Sequence, residues 1–198
     1  MSTASGKRLT PEEYLAIETA SEFRHEFFDG EMFAMSGGSL WHNLVKDNFA
    51  RAIGNALEGR GCYVLTSDQR VKVDATGLYT YPDVVVFCEQ PRFEDDVHYS
   101  LTNPRVIIEV LSDSTEAYNR GRKFAHYRTL PSLQEYLLVA QDHVSVERFE
   151  RQTNDDTWTL TAVTDPNGSV ALASLDAAVA VSAIYAGVEF PPFEEPRP

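Results

Sequence analysis

Positive charge is scarce in this chain. Across 198 residues, 17 lysines and arginines stand against 30 aspartates and glutamates, a formal net charge of −13. That deficit excludes a protein that grips nucleic acid through its whole surface, so any site for a polyanion must be a local patch. Cysteine is nearly absent. Cys62 and Cys88 have neither metal-ligand nor redox spacing, which excludes a zinc or thioredoxin-like motif. They read as two buried free thiols in a reducing compartment. Long hydrophobic runs are missing too: the longest mostly apolar stretch, Ala177 to Val188, contains a serine and is too short to span a bilayer. The first ten residues are polar and show no secretory signal. A soluble, cytoplasmic chain with no membrane partner is expected. No internal repeat is visible.

What is present is ordinary for a globular domain, with 43% apolar and 24% charged residues. The length suits one domain with a sizeable core. The expected organisation is a frayed N-terminus over 1–9, a single domain over 10–188 and a flexible, proline- and glutamate-rich tail over 189–198.

Local signals order the elements. Thr10-Pro11-Glu12-Glu13 is a capping box with proline at the first helical position, and predicts a helix to about Glu18. His25–Phe28, Asp29-Gly30 and Glu31–Met35 form a hairpin signature. Leu44, Val45, Phe49, Ala52, Ile53, Ala56 and Leu57 recur at helical spacing after the capping Ser39, and Gly59-Arg60-Gly61 closes that helix. Strands are expected near Tyr63–Thr66 and Arg70–Val73, with a turn at Asp74–Gly77. Ser112-Asp113-Ser114-Thr115 opens a helix that runs to about Arg128 and stops at Pro131. Glu135–Val139 reads as a buried strand. Turns at Gln141-Asp142, Asn154-Asp155-Asp156 and Asp165–Gly168 then divide a β-meander, closed by a short helix near Ser182–Tyr185. The order suggests an α/β fold: a central mixed sheet flanked by helices, with a C-terminal meander behind it. Ligands on such sheets gather at strand ends.

Two carboxylates stand out. Tyr81-Pro82-Asp83-Val84-Val85-Val86-Phe87 and Val106-Ile107-Ile108-Glu109-Val110-Leu111 read as strands buried on both faces. An unpaired charge is costly there, so each carboxylate needs a partner or a metal. Side by side, these strands would bring Asp83 and Glu109 to one hard divalent cation such as Mg²⁺ or Mn²⁺. Blander readings stand beside this one. Pro-Asp is a common turn pair, and Glu109 can be satisfied by a buried arginine such as Arg105 or Arg122.

From Ala117 to Gln134 there is no acid, while Arg120, Arg122, Lys123 and Arg128 are basic, a local reversal of sign in an acidic chain. The default for such a run is a solvated helix face. Next to two buried carboxylates it points to phosphate contact. At spacings of three and four, Arg120, Lys123 and Tyr127 share a helix face, with Lys123 exposed or half-exposed. Glu26 in the first hairpin and His42 near the start of the long helix are supporting candidates. A lone histidine there is more often structural.

These residues carry a resemblance. His25-Glu26-Phe27-Phe28-Asp29-Gly30-Glu31, His42, Ser67-Asp68-Gln69-Arg70-Val71, Tyr81–Val86 and Pro104–Thr115, with Lys123 and Tyr127 behind, are similar to the Uma-two (Uma2) family of putative restriction endonucleases in the PD-(D/E)XK superfamily. The likeness runs from about Thr10 to Tyr185. Its joint pattern is specific, although each short motif alone is weak. It implies a restriction-endonuclease-like α/β/α sandwich and a metal site of Asp83 and Glu109, with the Val110 carbonyl assisting. The superfamily's usual lysine position is held by Leu111, so the resemblance gives that role to Lys123. A further departure is Tyr118-Asn119-Arg120, where an acid is usual.

The function expected is a metal-dependent endonuclease acting on nucleic acid, most readily DNA. In it Asp83, Glu109, Lys123 and Glu26 are catalytic, and His42, Arg120, Arg122 and Tyr127 meet the substrate. The alternatives are a nucleic-acid-binding or assembly module of the same fold with little turnover, and a hydrolase of small phosphodiesters. A homodimer is expected from the alternating apolar pattern between Val144 and Val181 and from the two-fold symmetry that suits a two-stranded substrate.

Overall fold

The structure, a computed structural model, describes residues 8–97, 99–152 and 157–190. The first seven residues, most of the expected tail and the turn at Asn154–Asp156 lie outside the described residues.

Helix α1 (Pro11–Ala20) begins at the expected capping box: the Thr10 side chain accepts from the Glu13 N–H, and the Glu13 carboxylate accepts from the Thr10 N–H. The hairpin β1 (His25–Phe28) and β2 (Glu31–Ala34) turns at Asp29-Gly30, both at positive φ. Helix α2 (Leu40–Ala56) is capped by Ser39. Strands β3 (Tyr63–Thr66), β4 (Val71–Val73), β5 (Leu78–Thr80), β6 (Val84–Phe87) and β7 (Val106–Leu111) follow.

A broken helix comes next. It comprises α3 (Glu116–Tyr118), a π-helical turn over Asn119–Lys123 and α4 (Phe124–Tyr127). The expected single helix from Ser112 thus starts four residues later, because 112–115 form a turn in which Thr115 N–H and Glu116 N–H donate to the Ser112 carbonyl. After β8 (Glu135–Ala140), β9 (Val146–Arg151) and β10 (Trp158–Val163) come the hairpin β11 (Ser169–Leu172) and β12 (Ala177–Ala180), then α5 (Val181–Ile184).

The central sheet has six strands in the order β10-β9-β8-β7-β6-β3. Only the β7–β8 pair is parallel, so the sheet is mixed. Strands β9 and β10, the first part of the meander, pair onto β8 and extend this sheet. Every residue of β6, β7 and β8 is buried. Side chains alternate between two cores. Val84, Val86, Val106, Ile108 and Val110 meet α2, the β11–β12 hairpin and α5. Val85, Phe87, Ile107 and Leu111 meet Tyr127, Leu130, Leu133 and the second sheet. That second sheet is antiparallel, in the order β2-β1-β5-β4, and α1 packs on its far side through Tyr14 and Phe27. One face of the central sheet is therefore covered by helices and a hairpin, the other by the broken helix and a small sheet.

The run Tyr81–Phe87 is not one strand. β5 ends at Thr80 in the small sheet, and β6 starts at Val84 in the large one. Pro82 has no N–H for a ladder, so the chain changes sheets at Tyr81-Pro82-Asp83. Cys62 and Cys88 are not free thiols but a disulfide. The β3–β6 register pairs Tyr63 with Phe87, so the next step outward sets the two cysteines opposite each other. Both are half-buried. Their usage therefore no longer argues for a reducing compartment. Among the described residues, no helix is long and apolar enough to cross a membrane.

Candidate active site

Strand parity aims Glu109. Ile107 and Leu111 point to the core beneath the broken helix, and Glu109, between them, points the same way. Its Oε1 accepts from Lys123 Nζ at 2.8 Å and from the Tyr127 hydroxyl at 2.9 Å. The buried partner of Glu109 is thus a lysine, and neither Arg105 nor Arg122 fills that place. Asp83 sits where the chain changes sheets, one residue before β6. Its Oδ2 accepts from the Val110 N–H at 2.8 Å, which ties it to the end of β7, and lies 3.3 Å from His42 Nε2. Glu26, on β1, accepts from the Thr80 hydroxyl and lies 3.0 Å from Lys123 Nζ.

The π turn decides where Lys123 goes. Its i→i+5 bonding adds a residue to the turn. Tyr118 and Lys123 then both lie against Glu26, while Tyr127, four residues on, lies with Lys123 against Glu109. The face anticipated from even helical spacing, with Arg120 beside Lys123, does not form. Arg120 is exposed and bonded to Glu116 and Glu147, so its charge is already answered. Arg122 lies on the exposed surface. Lys123 is 4% exposed instead of open to solvent. Tyr127 is fully buried, and a ring with no free surface offers no direct contact to a polymer; its hydroxyl serves Glu109.

Electrostatics follow from this crowding. Burial pushes the Glu109 carboxyl up, against the pull of Lys123 and with the help of Asp83 and Glu26, to about 7. Burial acts to lower Lys123, but Glu109 and Glu26 outweigh it and hold the ammonium well above its ordinary value. Burial also works against ionisation of Glu26. Lys123 and the hydroxyls of Thr80 and Tyr118 overcome it, and the net shift is downward. For His42, burial is outweighed by the hydrogen bond and charge of Asp83, so its pKa rises. His42 Nδ1 is buried without a partner. One imidazole nitrogen thus lies on Asp83 and the other is enclosed, while the ring borders the cavity.

Glu26, His42, Asp83, Glu109, Tyr118 and Lys123 line a cavity of about 290 Å³, along with Val110, Phe33 and the loop 34–39. Among the described residues, no three His, Cys, Asp or Glu side chains converge as a ready metal cluster. Asp83 and Glu109 supply two carboxylates, and Glu26 is turned onto Lys123. In the described hydrogen bonds each of the two uses one oxygen, Oδ2 and Oε1. Two hard oxygens with water completing the shell is the way Mg²⁺ is commonly held, and the cavity lining has three carboxylates against one ammonium. The residues present fit such a cation. Sequence reasoning missed Tyr118 as a partner of Glu26, Thr80 as another, and Gly38, which lies against the His42 ring. Their roles depend on packing that carries no local signal.

The fold is nuclease-like. The whole-chain architecture matches that of a crystal structure described as a putative nuclease belonging to DUF820 from Anabaena variabilis, with a TM-score of 0.70, 16% identity and coverage of 88% of this chain and 96% of that one. The family model of Uma2, described as "Putative restriction endonuclease", matches residues 11–182, and the chain belongs to that family. Two uncharacterized proteins of Synechocystis sp. are similar throughout. One is 38% identical over 183 residues, 92% of this chain and 94% of the relative. The other is 36% identical over 170 residues, 86% of this chain and 96% of the relative.

Proposed function

We propose that the protein is a metal-dependent endonuclease that hydrolyses phosphodiester bonds in DNA, with Mg²⁺ or Mn²⁺ as cofactor. The observation that carries this reading is the convergence of Glu109 and Glu26 on one buried lysine, with Asp83 tied to the Val110 N–H beside Glu109. Asp83, Glu109 and the carbonyl of Val110 would hold the cation. When bound, it polarises the scissile phosphate and lowers the pKa of a bound water.

The chain's own residues do the rest. Lys123, held by Glu109 and Glu26, keeps one ammonium N–H for the attacking water, and its positive charge offsets the negative charge that builds on the phosphoryl oxygens. Tyr127 fixes the Glu109 rotamer, and Thr80 and Tyr118 fix Glu26. His42 and the Val110 N–H hold Asp83.

Supercoiled plasmid incubated with Mg²⁺ or Mn²⁺ tests the reading. The wild type is expected to nick it, and Asp83→Asn and Glu109→Gln to leave it intact. A wild type that binds DNA at low salt but cleaves nothing with either metal overturns it in favour of a binding module. Turnover of a small phosphodiester without plasmid cleavage overturns it in favour of the small-substrate hydrolase. We propose also that the working unit is a homodimer. Apolar side chains stand exposed on both edges of the central sheet, Tyr63 and Leu65 on β3 and Leu160 on β10. A mass of 22.2 kDa by light scattering at micromolar concentration overturns it.

A further inference from the structure

We propose that Phe33 is a stacking platform for one nucleobase, and that the preferred substrate is a single-stranded segment of nucleic acid. This rests on the nuclease reading of the same cavity and adds the substrate's form to it.

Phe33 lies on β2, an edge strand of the small sheet, directly opposite Glu26 on β1. Cross-strand partners project from the same face of a sheet. Phe33 therefore shares the face on which Glu26 reaches Lys123. Its neighbour Met32 points the other way and packs against the core of Tyr14 and Phe27. Phe33 is 48% exposed, and among the described residues it is the one exposed large apolar side chain lining the cavity. Nothing in the small sheet's packing calls for an aromatic ring at this place. A flat apolar ring at the mouth of a cavity that ends in carboxylates and an ammonium suits the π-face of a base whose phosphate lies deeper in.

Charge argues against a duplex. A protein that tracks double-stranded DNA neutralises a series of phosphates with lysine and arginine. Here Lys123 is shared by two glutamates and Arg120 by two more. Lys123 is the one lysine or arginine among the described residues that line the cavity, and since single strands are held by base–aromatic stacking together with basic groups, the ring carries the larger share here. A base paired and stacked within a duplex does not present its face to Phe33.

The test measures binding without cleavage, by fluorescence anisotropy of a short labelled single-stranded oligonucleotide in EDTA. Phe33→Ala is expected to weaken binding about tenfold, the scale of losing one base–aromatic stack, and Phe33→Trp to restore it. An oligonucleotide series carrying one abasic position is expected to contain a member that binds the wild type about tenfold more weakly yet binds Phe33→Ala no worse than its parent. The duplex of the same sequence is expected to bind more weakly and to be indifferent to Phe33. Equal affinity of wild type and Phe33→Ala for the single strand overturns the proposal, as does a wild type that binds no oligonucleotide. Coupling between Phe33 and the abasic position in a protein that cleaves no DNA leaves the platform standing while the nuclease reading fails. Plasmid cleavage without that coupling does the reverse.

Discussion

Lys123 and Glu109 meet inside the protein with Nζ and Oε1 2.8 Å apart, and only 5% and 4% of their side-chain surfaces are exposed. The lysine arrives from a π turn and the glutamate from the middle of a central strand, so the pair locks the broken helix onto the sheet end.

Lys123→Met is therefore expected to harm both folding and chemistry. It leaves Glu109 and Glu26 buried without their cation, and breaking a buried pair on one side costs about 3–5 kcal/mol. Urea melts should show that loss, and the double variant Lys123→Met/Glu109→Gln should recover part of it. Cleavage should fall about a hundredfold or more in both. A single variant as stable as the wild type contradicts the buried pair.

Asp83→Asn is expected to abolish Mn²⁺ binding in a calorimetric titration while raising the thermal midpoint of the metal-free protein. The amide oxygen can still accept from the Val110 N–H, and the like charge facing Glu109 is gone. Undiminished Mn²⁺ binding rules Asp83 out as a ligand.

Gly38 is predicted to be needed for His42 and not for folding. A Cβ added at Gly38 would lie 2.5 Å from His42 Nδ1 and 2.8 Å from its Cγ. Gly38→Ala is expected to displace the imidazole from Asp83, and because residues 36–39 are exposed the core is left as it is. Plasmid cleavage should drop to the level of His42→Ala with thermal stability little changed. Full activity in Gly38→Ala contradicts the role given to His42.

Glu135 supplies a pH dependence away from the site. It is fully buried, with Arg148 and Ser174 as partners. Burial raises its pKa above the ordinary 4.5, and the bonds from Ser174 and the charge of Arg148 only partly offset this. A raised folded-state value means the group's contribution is complete below the unfolded pKa and is lost as pH climbs through the folded one. The stability of Glu135→Gln relative to wild type should therefore improve as pH rises from about 4 towards neutrality. Urea melts across that range check the slope, and a slope of opposite sign refutes it.

Several elements were legible because their causes are local. The capping box at Thr10, the Asp29-Gly30 turn and the helical stripe from Val45 to Ile53 are set by neighbours within a few residues, and each forms as expected. The wholly apolar strands around Val85 and Ile108 announced a sheet covered on both faces, and a glutamate within one of them announced a partner. Which partner it would be had no local signature, and the arginines considered for it lie elsewhere.

By itself, then, the sequence determined the order of helices and strands, the mixed α/β class, the family, and the candidacy of Asp83, Glu109, Glu26 and Lys123. Only the tertiary structure decided that Lys123 is buried between two glutamates, that Arg120 turns away, that Pro82 hands the chain from one sheet to another, and that Cys62 meets Cys88. Periodicity and capping are short-range and can be read along the chain. A π turn's extra residue, a change of sheet and a cross-strand register depend on contacts between segments far apart in sequence, and those exist only once the core has packed.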